Sequence, residues 1–112
     1  MNLFIQEAAE EDVLCQVEWY AEQGLPEIAQ RFAHSVKASI QSLLASPQAG
    51  APRKTGNPAL SDLRTWPVHG FRYFRVFYLL RGDLLQVVRV LHTRRDTVVI
   101  LEEQAVDDTP TE

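Results

Sequence analysis

Residues 71–96 read F-R-Y-F-R-V-F-Y-L-L-R-G-D-L-L-Q-V-V-R-V-L-H-T-R-R-D, and no other stretch constrains the fold as much. Two apolar runs, rich in aromatic and β-branched residues, flank Arg81-Gly82-Asp83. That pattern predicts two antiparallel strands joined by a tight hairpin. The runs also carry Arg72, Arg75 and Arg89, with Arg94 and Arg95 directly after them. An arginine within a core-like strand must either find an internal partner or reach an open face. The register is open at this level. A two-residue Gly82-Asp83 turn sets Arg75 opposite Val90, whereas a three-residue loop sets it opposite Arg89.

The rest of the chain must cover that sheet. Leu3-Phe4-Ile5 reads as an edge strand. Acids in Ala8-Ala9-Glu10-Glu11-Asp12 suit the first turn of a helix, and Leu14, Val17, Tyr20 and Ala21 continue at helical spacing. Gly24 ends this helix and Pro26 starts a second, striped by Ile28, Phe32, Val36, Ile40 and Leu43. So short a linker predicts an antiparallel helical hairpin. Trp19 is expected at the seam between helix and sheet. Residues 46–61 are rich in Pro and Gly and read as an ordered loop. Asp62 to Trp66 alternates like a strand. Val98 to Leu101 suits either a last strand or a helical turn capped by Asp96. The expected architecture is α+β: an N-terminal strand, a helical hairpin, then a three- to four-stranded antiparallel sheet with helices on one face. A single domain over residues 1–102 is expected, followed by an acidic, frayed tail over 103–112.

Charge is unevenly placed. Residues 53–96 hold nine Lys or Arg against three acids, a local charge of +6 that leaves −10 for the remainder of a chain of net charge −4. A basic sheet beside acidic helices implies either a polyanionic partner or internal neutralisation. Cys15 is the one cysteine, so neither a disulfide framework nor a cysteine zinc cluster is expected. There is no His-x-x-x-His spacing and no phosphate-cradling glycine loop, so no metal or cofactor is expected. The amino terminus lacks the features of a secretion signal, and a cytoplasmic protein is the expectation.

Arg75 and Arg89 have two readings: guanidiniums facing RNA phosphates with Tyr73 or Tyr78 stacked on a base, or cations bound to acids of the fold itself. His92 ends a strand before basic residues. It suits a general base in phosphodiester cleavage, or a histidine that orders a turn. His34 and His69 have no evident partners.

Arg64-Thr65-Trp66, Phe71 to Tyr78, Val88-Arg89-Val90-Leu91-His92 and Arg95-Asp96 together resemble the RelE/ParE superfamily of toxins from type II toxin–antitoxin pairs, the ParE branch most of all. The resemblance spans residues 4 to 101 and implies a RelE-type fold. ParE-like toxins bind and block DNA gyrase and are neutralised by a small antitoxin. Some belong to plasmid stabilization systems. RelE-like toxins are ribosome-dependent mRNA endoribonucleases. By the resemblance, Arg75 falls on a RelE strand arginine and Arg95 on a later one, so an RNase would use Arg75, His92 and Arg95. Lys54 stands with Arg53 instead of in a lysine pair, and no Tyr or His follows Asp96 where a C-terminal catalytic group is placed. The acid–base set is therefore incomplete, which favours a non-catalytic inhibitor. The expected target- or antitoxin-binding residues are Tyr73, Arg75, Arg89, His92 and Arg95.

Overall fold

A computed structural model describes residues 1–106. The hairpin is its centre: β4 (Phe71–Arg81) and β5 (Leu84–His92) pair antiparallel around Gly82-Asp83. Gly82 has φ +62°, which the first position of a two-residue II′ turn requires and which a side chain would strain. The turn is therefore the two-residue one, yet Arg75 lies opposite neither expected residue. A bulge opposite Phe77 and Tyr78 inserts Val88 into β5, and Arg75 pairs with Leu91. One extra residue shifts every later partner by one.

β3 (Arg64–Val68) adds to the free side of β4, and the two-residue β2 (Ala51–Pro52) adds to β3. β1 (Asn2–Ile5) pairs parallel with β5 at long range, so five strands run β1-β5-β4-β3-β2 in a mixed sheet. The four strands after the helices are mutually antiparallel, as expected. α1 (Glu7–Glu22) and α2 (Pro26–Ala45) form the helical hairpin across one face. Phe32 of α2 is its aromatic anchor, with ring centroids 4.9 Å from Phe74 and 5.1 Å from Phe71.

The sequence reading placed cover on one face only, and that needs correction. Phe32, Val36, Ile40 and Leu43 pack on Val76, Tyr78, Leu85, Val87 and Val90. A second cluster lies across the sheet, with Phe77, Leu79, Val88 and Leu91 under Leu60, Leu63 and Leu101. Leu60 belongs to a 3-10 turn (Pro58–Leu60) and Leu101 to α3 (Thr97–Glu102). A strand buried on both faces has no need to alternate, which is why β4 and β5 read as continuous apolar runs. The open alternative at residues 97–101 resolves to helix: the Asp96 side chain accepts the Val99 N–H at its start. Positions 103–106, expected to fray, are tied to the domain. Asn57 Nδ2 donates to the Leu101 and Gln104 carbonyls, and Gln6 Nε2 donates to the Ala105 carbonyl. The remainder of the expected tail, 107–112, lies outside the described residues.

Tyr78 pins the loop between α2 and β2. Its hydroxyl donates to the Pro47 carbonyl at 2.7 Å and accepts the Gly50 N–H at 3.0 Å. Gly50 sits so close that a Cβ there would lie 2.7 Å from Tyr78 Cε1 and 2.9 Å from the Thr65 carbonyl oxygen. Burial raises the Tyr78 pKa above its ordinary 10.0, against smaller lowering effects of Gly50 and Arg64.

Tyr78→Phe is expected to cost about 1–3 kcal/mol in urea unfolding, because the buried Gly50 N–H and the part-buried Pro47 carbonyl lose their partner. Above about pH 10 the unfolded chain releases the Tyr78 proton before the folded one does, so stability falls as pH rises. The difference between wild type and Tyr78→Phe should accordingly shrink through that alkaline range.

Candidate functional site

The end of the hairpin remote from Gly82 is where β4 begins and β5 stops, so Phe71–Phe74 and His92–Arg95 meet there. Above them the last turns of α1 bring Gln16, Trp19 and Tyr20, three residues whose helical spacing puts them on one side. Between these elements lies an open cleft of about 690 Å³, lined also by Arg72, Tyr73 and Arg95. Tyr73 and His92 stack at 5.6 Å with 22° between planes, and Phe74 meets His92 edge-on at 4.9 Å. Arg72 and Arg94 each hold a guanidinium 4.7 Å from the Tyr73 ring centroid. Arg72 also donates to the Tyr73 hydroxyl at 2.8 Å.

His92 is oriented by the backbone. Its Nδ1 accepts the Arg94 N–H at 3.0 Å, so a neutral ring carries its hydrogen on Nε2. Among the described residues no carboxylate lines the cleft. Among the described residues the ion pairs are Arg81–Asp62 and Arg89–Asp12, so Arg72, Arg94 and Arg95 are not neutralised by either. Among the described residues no three or more His, Cys, Asp or Glu gather where they could hold a metal ion.

The sequence-expected site residues divide. Tyr73, His92 and Arg95 share the cleft. Arg75 does not line it. Its Nε donates to Thr65 Oγ1 at 2.9 Å, midway along the sheet. Arg89 is committed to the fold: it grips both carboxylate oxygens of Asp12, at 2.6 and 2.7 Å, and donates to Gln104 Oε1. The side chains of this pair are only 17% and 8% exposed. The Asp12 hydrogen bond raises the Arg89 pKa further above its already high ordinary value, against the opposing pull of burial. Of the two readings of Arg89, internal pairing is what the structure displays. Sequence reasoning gave no site role to Gln16, Arg72 or Arg94, and read Tyr20 as part of the apolar stripe of the first helix. It placed Trp19 at a seam, whereas Trp19 is 51% exposed. Only the 16–19–20 spacing on α1 hinted at that lining.

A second concavity, of about 630 Å³, runs between α1 and α2 above β1. Leu3, Ile5, Val13, Leu14, Val17, Ala33 and Val36 line it, with Glu10 and Lys37 as its charged residues. Leu3 is 41% exposed and Leu14 56%. A continuous apolar groove of this kind is unusual on a monomer that meets nothing.

Residues 3–97 match the family described as the ParE toxin of type II toxin-antitoxin system, parDE. The match covers most of the chain, and the chain belongs to that family. Its fold is similar to a solved structure titled "Chromosomal ParDE TA system from P. aeruginosa", with a TM-score of 0.68 over 84% of this chain and 97% of that one, at 20% identity. No curated protein matches the chain by sequence. Among the described residues no helix is long and apolar enough to cross a membrane.

Arg89→Met leaves the Asp12 carboxylate without its cation and is expected to cost about 3–5 kcal/mol in urea unfolding. Arg81→Met breaks an exposed pair and should cost no more than about 1 kcal/mol. Equal losses in the two variants would show that the internal pair has no special weight.

Proposed function

We propose that this toxin acts by binding and inhibiting DNA gyrase and that a cognate antitoxin neutralises it. Membership of the ParE family carries the reading. The disposition of the arginines supports it. Cleavage of RNA needs charge stabilisation and a positioned acid and base at one point. Arg75 is bound to Thr65 outside the cleft that holds His92 and Arg95. The three residues an RNase would combine are thus not gathered in that cleft.

The surface presented to the target is the basic end around Tyr73, His92 and Arg95, with Arg75 flanking it. The antitoxin takes the apolar groove. Its volume and aliphatic lining suit the nonpolar side of an amphipathic segment. Among the described residues the outer edge of β1 pairs with no strand, so an extended segment can also add to the sheet there. Acidic antitoxin residues would meet the basic 53–96 segment.

The alternative, a ribosome-dependent endoribonuclease, draws on the shared cleft of His92 and Arg95. Purified gyrase decides between the two. Added toxin should stop supercoiling while ribosome-bound message stays intact. Message cut at codon positions, and no longer cut by His92→Ala, would overturn the inhibitor reading in favour of the RNase.

Leu14→Glu sets a carboxylate in the groove without touching the core. It is expected to weaken antitoxin binding by at least about tenfold, since a buried unpaired charge is costly, and to leave gyrase inhibition unchanged. Calorimetry against the cognate antitoxin measures the first effect and the supercoiling assay the second.

A further inference from the structure

The cleft at the basic end has a chemistry more specific than positive charge. Trp19, Tyr20, Phe71 and His92 offer ring surface to it, and Arg72 and Arg95 line it as cations. Arg94 adds a third guanidinium over the Tyr73 ring. Trp19 and Tyr73 are exposed, at 51% and 39%. Its acid-rich neighbour α1 turns only Gln16, Trp19 and Tyr20 toward it, so its acids are kept out of the lining.

Part of the backbone at this point is already engaged. The Thr93 N–H donates to the Tyr73 carbonyl at 2.6 Å, and the Val90 N–H is taken by Asp12. The cleft presents aromatic surface ringed by guanidiniums, the combination by which proteins hold unpaired bases and their phosphates.

We propose that this cleft binds single-stranded nucleic acid, with one unpaired base against Trp19 and Tyr20 and the adjoining phosphates on Arg72, Arg94 and Arg95. Stacking on Tyr73 fixes two of those guanidiniums beside the cleft, so less side-chain freedom is lost when a phosphate arrives. Binding is not accompanied by cleavage. The inference goes beyond the gyrase reading in naming the ligand of the basic end. Its test uses no gyrase, so either can fail while the other stands.

The full chain is titrated into fluorescein-labelled oligothymidine and oligouridine of about 12 nucleotides, with a duplex of the same length as control, at about 50 mM salt. Saturable binding to a single strand is expected, weaker on the duplex. Preference between the two strands identifies DNA or RNA as the source. With two or three phosphates engaged, raising salt to about 200 mM should weaken binding roughly tenfold. Trp19→Ala and Arg94→Ala, both at exposed positions, should each weaken it by about fivefold or more, and Arg81→Ala at the far end of the hairpin should not. The absence of saturable single-strand binding overturns the proposal. So does binding that Trp19→Ala and Arg94→Ala leave intact.

Discussion

The contact between Arg89 and Asp12 sets where the first helix lies. β1 accompanies β5 only as far as Val87, and the chain then lifts off the sheet at Gln6 to begin α1. β5 runs on to His92, so its edge beyond Val87 has no strand beside it. Asp12 fills that gap. One carboxylate oxygen accepts the Val90 N–H at 3.0 Å, and both take the Arg89 guanidinium. A single side chain thus finishes the sheet edge and fastens α1 over it. A buried ion pair seldom outperforms a well-packed apolar pair in stability alone. An apolar residue at position 12, however, would leave the Val90 N–H unmet at a half-buried edge. The pair's value lies in fixing orientation.

That orientation decides both surfaces. With α1 held at Asp12, Val13, Leu14 and Val17 face the groove shared with α2, and Gln16, Trp19 and Tyr20 reach the cleft at the end of the hairpin. Gln6 and Gln86 extend the same region. Gln86 Nε2 donates to Gln6 Oε1, and Gln6 in turn holds the Ala105 carbonyl. Arg89 touches Gln104 as well. The first helix, the edge of β5 and residues 104–105 therefore meet in one polar network, buried at Gln6 and Gln86. Fully satisfied networks of this sort favour one arrangement over its neighbours.

Much of the fold was legible in the sequence because its signals are local. The Gly82-Asp83 turn, the break at Gly24 and the proline that opens α2 each act within a few residues. What stayed hidden depends on distance. The bulge at Val88 turns that residue into the second core cluster, and no turn residue announces it. The cover on the second face comes from Leu60, Leu63 and Leu101, far apart in sequence and unremarkable singly. That Tyr73, His92 and Arg95 lie near one another was legible in outline, since all three line one cleft. Arg89, inside the second apolar run, looked as available as Arg95 just after it. Only the place of Asp12, 77 residues away, separates a structural guanidinium from an exposed one.

The two surfaces share a helix and no lining residue. A segment seated in the groove therefore leaves the rings and arginines of the cleft uncovered. Neutralisation through the groove would have to act in one of two ways. The antitoxin could extend past the end of α1 and shield the cleft directly, helped by acids against Arg72, Arg94 and Arg95. Alternatively, filling the groove could displace α1 and carry Trp19 and Tyr20 out of position. The second route works against the Asp12 clasp, whose rupture would strand a carboxylate and a guanidinium in a site with little access to water. The bonds that anchor α1 thus favour direct shielding, and the guanidiniums that no ion pair engages among the described residues are the feature such a shield would recognise.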